Sequence, residues 1–390
     1  MILKTNIAKL GYYTVDGKIF LWKSDAINTA GSLSKIKYHF NDEYYSLLDW
    51  TVDTEPYTNL TELYRRRAED IRDRYDYVVL LYSGGPDSKN MLDAFTDNNI
   101  HIDEIVNINS YSRTDVANNT VHNADYLHNV TPTLERLQKL PGFKSKITIL
   151  DEVELMKQHL AFYTEIDNYS AISASLFHGS INMYITKPIW TRYVPHIWDK
   201  IVCGKKICVV LGADKPTLTL INGRYAVVFG DIPQNSGFSY YDNDFRHIDI
   251  MEQFYQGPET ANIVIKQSHI LKDFMNRHLG PEHYQIWAGD KTTRPSHNCP
   301  SRHNHGDLKY DIFHKLIYPT WTPGFVTPKP SNLITRPKDN WWMQGLEKDS
   351  TKILDFVLKK FVKDFNKFTS PDTSLQQITA RILSKPYFIE

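Results

Sequence analysis

The stretch Tyr77-Val78-Val79-Leu80-Leu81-Tyr82-Ser83-Gly84-Gly85-Pro86-Asp87-Ser88 decides how this chain is read. Its first half is a short continuous apolar run, the pattern of a strand buried on both faces of a parallel sheet. Met91, Leu92 and Phe95 then recur at helical spacing. The sequence therefore predicts strand, tight loop, helix. Gly84 and Gly85 let the backbone turn sharply and approach a ligand closely. The helix behind them aims unpaired N–H groups and a partial positive charge at the loop, which makes an anion site. Ser83 and Ser88 are candidate hydroxyl donors to phosphate oxygens. Asp87 adds a carboxylate beside that site, where it is a candidate ligand for the Mg²⁺ that travels with phosphates. The plain alternative is an ordinary strand-to-helix turn that happens to carry these residues.

Ser83-Gly84-Gly85-Pro86-Asp87-Ser88 resembles the Ser-Gly-Gly-x-Asp-Ser signature of the PP-loop ATP pyrophosphatases. Asparagine, GMP and NAD synthetases and the tRNA-modifying ligases and thiolases belong to that wider family. The resemblance implies ATP and Mg²⁺ as cofactors, cleavage between the α and β phosphates, and the whole loop, Pro86 included, as the nucleotide cradle. Neither Gly-x4-Gly-Lys-Ser/Thr nor Gly-x-Gly-x-x-Gly occurs in the chain, so the other common phosphate-binding loops are absent. The full layout is similar to PP-loop proteins of tailed phages. Shared cues are a short aromatic N-terminal module, an Arg-rich helix, the Gly-Ala-Asp-Lys-Pro loop and a Tyr-Pro-x-Trp segment.

The 390 residues suffice for more than one domain, and 41% hydrophobic with 13% aromatic residues suffices for a core. Lys+Arg and Asp+Glu balance at 45 each, so no global field draws nucleic acid. A small-molecule acceptor is the expected partner; nucleic acid is left open, and oligomeric state is not legible. Three cysteines do not make a disulfide framework. The N-terminal residues carry no apolar signal core, and no stretch approaches the ~20 residues a membrane span needs. The expectation is a soluble cytoplasmic protein without membrane contact, acting in the host cytoplasm if virus-encoded as the phage likeness implies.

Three parts are expected. Residues 1–56 read as a small β-rich module, with Asp16-Gly17 turning a hairpin between aromatic and β-branched flanks. It is too short for the glutaminase that some relatives carry, and position 2 is Ile rather than Cys. Residues 57–235 read as the PP-loop domain: α/β, a doubly wound, mainly parallel sheet of HUP/PP-loop type. Its first helix, Asn59 to Tyr75, opens with a capping-box pair, Asn59 and Glu62, and shows Leu60, Leu63, Tyr64, Ala68, Ile71 and Tyr75 on one face. Arg65, Arg66, Arg67, Arg72 and Arg74 are expected on a solvated face. Further strands are expected at 104–109, 147–150 and 207–211, a helix at roughly 116–140, another from Glu152 to about Phe162, and a second hairpin on Asn222-Gly223. Residues 236–390 read as a mostly helical, loop-rich extension on the substrate side.

Ligands in open parallel sheets sit outside the carboxyl ends of the strands. Asn107, Asn109, Ser110 and Asp151 lie at such ends, and Asn109 and Ser110 are candidates for holding the nucleoside; a simple loop role is the alternative. Gly212 and Asp214 look like the pyrophosphate-facing loop of asparagine-synthetase-like relatives, in place of its usual Gly-Glu-Gly-Ser-Asp-Glu. That likeness makes Asp214 a second Mg²⁺ ligand and Lys215 a phosphate contact, against a plain Asp-capped turn. Lys266, Lys309 and Lys315 are left open as pyrophosphate contacts. His297, Cys299, His303 and His305 fall close enough to ligate zinc, though the spacing is irregular. Cys203 and Cys208 do not form the Cys-x-x-Cys pair of sulfur carriers. The expected chemistry is adenylation of a carboxylate, carbonyl or amide oxygen, then attack by an amine or ammonia. A base-modifying enzyme of the same fold and an inactive nucleotide-binding module are the alternatives.

Overall fold

The computed structural model describes residues 11–20, 26, 29–30, 33–109, 126–151, 194–212, 217–231, 251–278, 313–322 and 382–389. Its centre is a five-stranded parallel sheet made of β4 (Tyr77–Leu81), β5 (Glu104–Asn109), β6 (Lys146–Asp151), β7 (Ile207–Leu211) and β10 (Met251–Gln253). Val78, Val79, Leu80, Cys208, Val209 and Val210 are fully buried, as strands covered on both faces require. The molecule is an α/β fold. The spatial order is β10-β7-β4-β5-β6. The chain runs outward from β4 through β5 and β6, then returns to the other side of β4 for β7. Strand order therefore reverses between β4 and β7, the place where open parallel sheets bind their ligands.

Helix α1 (Leu60–Arg74) begins where the capping pair places it: the Asn59 side chain accepts a hydrogen bond from the Glu62 amide at 2.9 Å. The reciprocal half is not made, because the Glu62 carboxylate accepts from Arg65 and Arg66 instead. Helix α2 (Pro86–Thr96) follows β4, and α3 (Thr131–Gln138), preceded by a π turn at Tyr126–Val130, follows β5. Helix α4 (Pro195–Val202) leads into β7. Helix α5 (Ala261–His278) follows β10 after a 3₁₀ turn at Pro258–Thr260 and packs on α1. Residues 313–317 form a short helix that ends before Pro319.

Two small antiparallel sheets flank this centre. One is β1 (Tyr12–Val15), β2 (Lys18–Phe20) and β3 (Lys37–His39); the other is β8 (Thr217–Ile221), β9 (Arg224–Val228) and β11 (Tyr387–Phe388). Their hairpins turn on Asp16-Gly17 (φ 48° and 79°) and Asn222-Gly223 (φ 51° and 82°), the paired positive φ of a type I′ turn. The sheets meet through an aromatic cluster: Tyr45 stacks on Phe229 at 5.0 Å and Trp50 on Tyr387 at 4.8 Å between ring centroids. The Tyr13 hydroxyl donates to Asp231 at 2.9 Å. One hydrophobic core runs from Tyr13 to Ile389. The C-terminal stretch expected as a helical extension thus supplies β10 to the central sheet and β11 to a flanking one. No helix among the described residues is long and apolar enough to cross a membrane.

Candidate functional site

The glycine loop lies at the reversal of strand order, with β4 before it and α2 after it. Gly84 sits at φ 81°, a left-handed backbone that side chains resist. Gly85 is extended and starts α2, and Pro86 takes the first helical position, where its missing N–H is no loss. No side chain caps α2. The first-turn N–H groups of a helix have no partner within it, so this end carries partial positive charge.

Ser83 is exposed and Ser88 is buried. The Ser88 hydroxyl accepts from the Ser83 amide at 3.2 Å, donates to the Gly85 carbonyl at 3.1 Å, and lies 3.1 Å from the Ser83 hydroxyl. Ser88 therefore staples the loop from inside. Gly212 comes next to the loop from β7. A Cβ there would lie 3.1 Å from Asp87 C and from Ser88 Cα and N, so the end of β7 seats directly on the first turn of α2. Its glycine permits backbone-on-backbone packing between the end of β7 and α2.

Asp87 is held by residues far away in sequence. Tyr318 donates its hydroxyl to Asp87 Oδ1. Tyr255 donates to the Asp87 carbonyl at 2.7 Å and accepts from Asn90 Nδ2 at 2.9 Å. Thr320 reaches Asp93 Oδ2 at 2.8 Å, further along α2, where Lys89 also pairs at 2.6 Å. Burial pushes the Tyr318 hydroxyl well above the ordinary phenol value, and the Asp87 charge pushes it further. Burial does the same for Tyr255, with Tyr64 and Asp87 adding to it. Sequence reading passed over both tyrosines as site residues, although the Tyr318-Pro319-Thr320-Trp321 segment was a cue to layout.

Asn107 is buried and donates Nδ2 to the Tyr82 carbonyl at 2.7 Å, bridging the ends of β5 and β4. Asn109 pairs with Asp151 at the last register position of β5 and β6. Ser110, Asp214, Lys215, Lys309 and the cluster His297, Cys299, His303 and His305 lie outside the described residues. So does the helix expected from Glu152. Lys266 is committed elsewhere: its ammonium sits 2.7 Å from Asp53 Oδ2 and 2.8 Å from the Glu55 carbonyl. Lys315 is exposed. Arg67 corrects the expectation of a solvated arginine face. It is 4% exposed and donates to Glu252 at 3.0 Å and to the Gln253 carbonyl at 2.9 Å, both on β10.

No family model, curated protein or solved structure matches this chain. Among the described residues no group of three or more His, Cys, Asp or Glu side chains stands together as a metal site. The oxygen donor of Asp87 nevertheless suits Mg²⁺, which takes one or two carboxylates and completes its shell with water and phosphate oxygens. A glycine-turned helix N-terminus with a carboxylate in its first turn, set at a strand-order reversal, can seat an anion and a cation side by side.

Proposed function

We propose that this chain is an ATP-dependent adenylating enzyme of the PP-loop type. It cleaves ATP to AMP and pyrophosphate and activates a carboxylate, carbonyl or amide oxygen for attack by an amine or ammonia. The observation that carries this reading is the Ser83–Ser88 loop: turned at Gly84, uncapped at α2, bearing Asp87, and seated between the ends of β4 and β7.

In this reading the loop amides and the α2 N-terminus bind the β and γ phosphates. Gly212 keeps the β7 end close against α2. Asp87 and Asp214 would hold Mg²⁺, which would supply charge neutralisation for the pyrophosphate. The acceptor oxygen attacks the α phosphorus in line, the bond to the α–β bridging oxygen breaks, and the bridging oxygen leaves with pyrophosphate. An amine then displaces AMP. Acceleration in such transfers comes mainly from positioning and electrostatics. The balanced charge of the chain favours a small acceptor over nucleic acid.

The test is to incubate the purified chain with ATP, Mg²⁺ and a broad metabolite panel, following AMP and pyrophosphate by mass spectrometry. Asp87→Ala should slow pyrophosphate release on the order of 10²–10³-fold, as loss of one preorganised electrostatic contact does. A variant releasing pyrophosphate at the native rate would refute the assignment of Asp87. ATP binding with no AMP formed on any metabolite would make the chain a nucleotide-binding module instead.

A further inference from the structure

Three tyrosines from three distant segments pack together, and two of them reach the first turn of α2. Tyr64 comes from α1, Tyr255 follows β10, and Tyr318 ends the short helix at 313–317. Each is at most 2% exposed. Their rings pack on one another, with centroids 5.5 Å apart for Tyr255 and Tyr318, 5.8 Å for Tyr64 and Tyr255, and 6.3 Å for Tyr64 and Tyr318. His314 stacks on the far side of Tyr318 at 5.7 Å.

Two of the hydroxyls end on Asp87 and the third on the segment that carries Tyr318. Gln267 donates to the Tyr64 hydroxyl at 2.8 Å, and that hydroxyl donates to the Ile317 carbonyl at 2.5 Å, fixing the residue before Tyr318. Asn90 donates to Tyr255, which donates to the Asp87 carbonyl. Tyr318 donates to the Asp87 carboxylate itself. Main chain and side chain of one residue are thus held from two independent segments.

A hydroxyl orients a carboxylate without cancelling its charge, whereas a lysine or arginine in its place would compete with an incoming cation. Carboxylates that ligate metals are themselves hydrogen-bonded in this way, and loss of such a supporting bond weakens metal binding by roughly 10–100-fold. We propose that Tyr318 and Tyr255 are positioning residues that set the Asp87 carboxylate for a divalent cation arriving with a nucleotide. This inference rests on the ATP reading above and adds to it the residues that prepare the metal position.

The experiment measures binding, with no turnover needed. The wild-type chain, Tyr318→Phe and Tyr255→Phe are titrated by calorimetry with α,β-methylene ATP, in EDTA and across a range of Mg²⁺, and urea midpoints check the fold. Tyr318→Phe should raise the Mg²⁺ midpoint roughly 10-fold or more, with nucleotide affinity in EDTA unchanged; Tyr255→Phe should shift it in the same direction. A native Mg²⁺ midpoint in Tyr318→Phe overturns the proposal. So does an equal loss with and without Mg²⁺, which marks a merely structural role. Should Tyr318→Phe fail to fold, the Tyr255→Phe titration decides by the same criterion. Wild-type chain that binds no nucleotide in either condition overturns the ATP reading as well, and so separates the two failures.

Discussion

Replacing Arg67 with Met tests whether α1 is bolted to the edge strand or floats on solvent. The Arg67 side chain is 3% exposed and faces Glu252 at 5% exposure, with Nη2 3.0 Å from Oε2. The same Nη2 donates to the Gln253 carbonyl, and Nη1 pairs with Asp70, which is 44% exposed. The Asp70 pair contributes at most about 1 kcal/mol, as surface ion pairs do. Stripping the partner from a buried charge costs about 3–5 kcal/mol. Glu252 would keep Arg74 at 3.4 Å and the Tyr75 hydroxyl, which puts the expected loss near the low end, about 3 kcal/mol. Met keeps most of the apolar stem, so lost packing adds little. A solvated arginine would cost no more than about 0.5 kcal/mol. Urea denaturation followed by tryptophan fluorescence reads the difference, provided the slope is unchanged. Arg67→Met combined with Glu252→Gln should fall short of additivity by about 0.5–3 kcal/mol. A single variant within about 0.5 kcal/mol of the native chain, or a fully additive pair, would refute the buried-bolt reasoning.

Other outcomes follow from the same geometry. Gly212→Ala drives a Cβ to 3.1 Å from the backbone of Asp87 and Ser88, which cannot rotate aside. It should cost about 1–3 kcal/mol in denaturation and weaken ATP binding, and a native result in both would show that β7 does not seat on α2. Asn59→Ala removes the cap of α1 and should cost about 1 kcal/mol in the same unfolding assay. Glu104, fully buried on β5, reports through pH. Burial pushes its carboxyl up, but bonds from Thr148, His196 and Tyr77 outweigh that and leave it below its ordinary 4.5. A depressed carboxylate contributes stability above its unfolded value and loses it as pH falls through the folded one. The stability gap between native chain and Glu104→Gln should therefore be full at neutral pH and narrow as the solution is acidified below that value. Urea midpoints across acid pH that kept a constant gap would count against it.

The elements were legible wherever local pattern and local chemistry agreed. The apolar run before Ser83, the Asn59 cap, the two hairpin turns and the strand starting at Ile207 are each fixed by neighbours within a few residues, and backbone sterics and helix-end hydrogen bonds act at that range. The glycine loop belongs to this class, since its turn and its helix lie in one short stretch. Tertiary structure alone decided the rest. Arg67 reads as one more arginine in a charged run until β10 arrives beside it from 185 residues away. Residues 251–253 look like loop until they add to the edge of β7. Ser88 turns inward because the loop closes on it, and Gly212 becomes essential only once β7 lies beside β4. Tyr255 and Tyr318 reach Asp87 across 168 and 231 residues. Burial and long-range hydrogen bonding depend on which segments meet, and residue type and spacing along the chain do not encode that meeting.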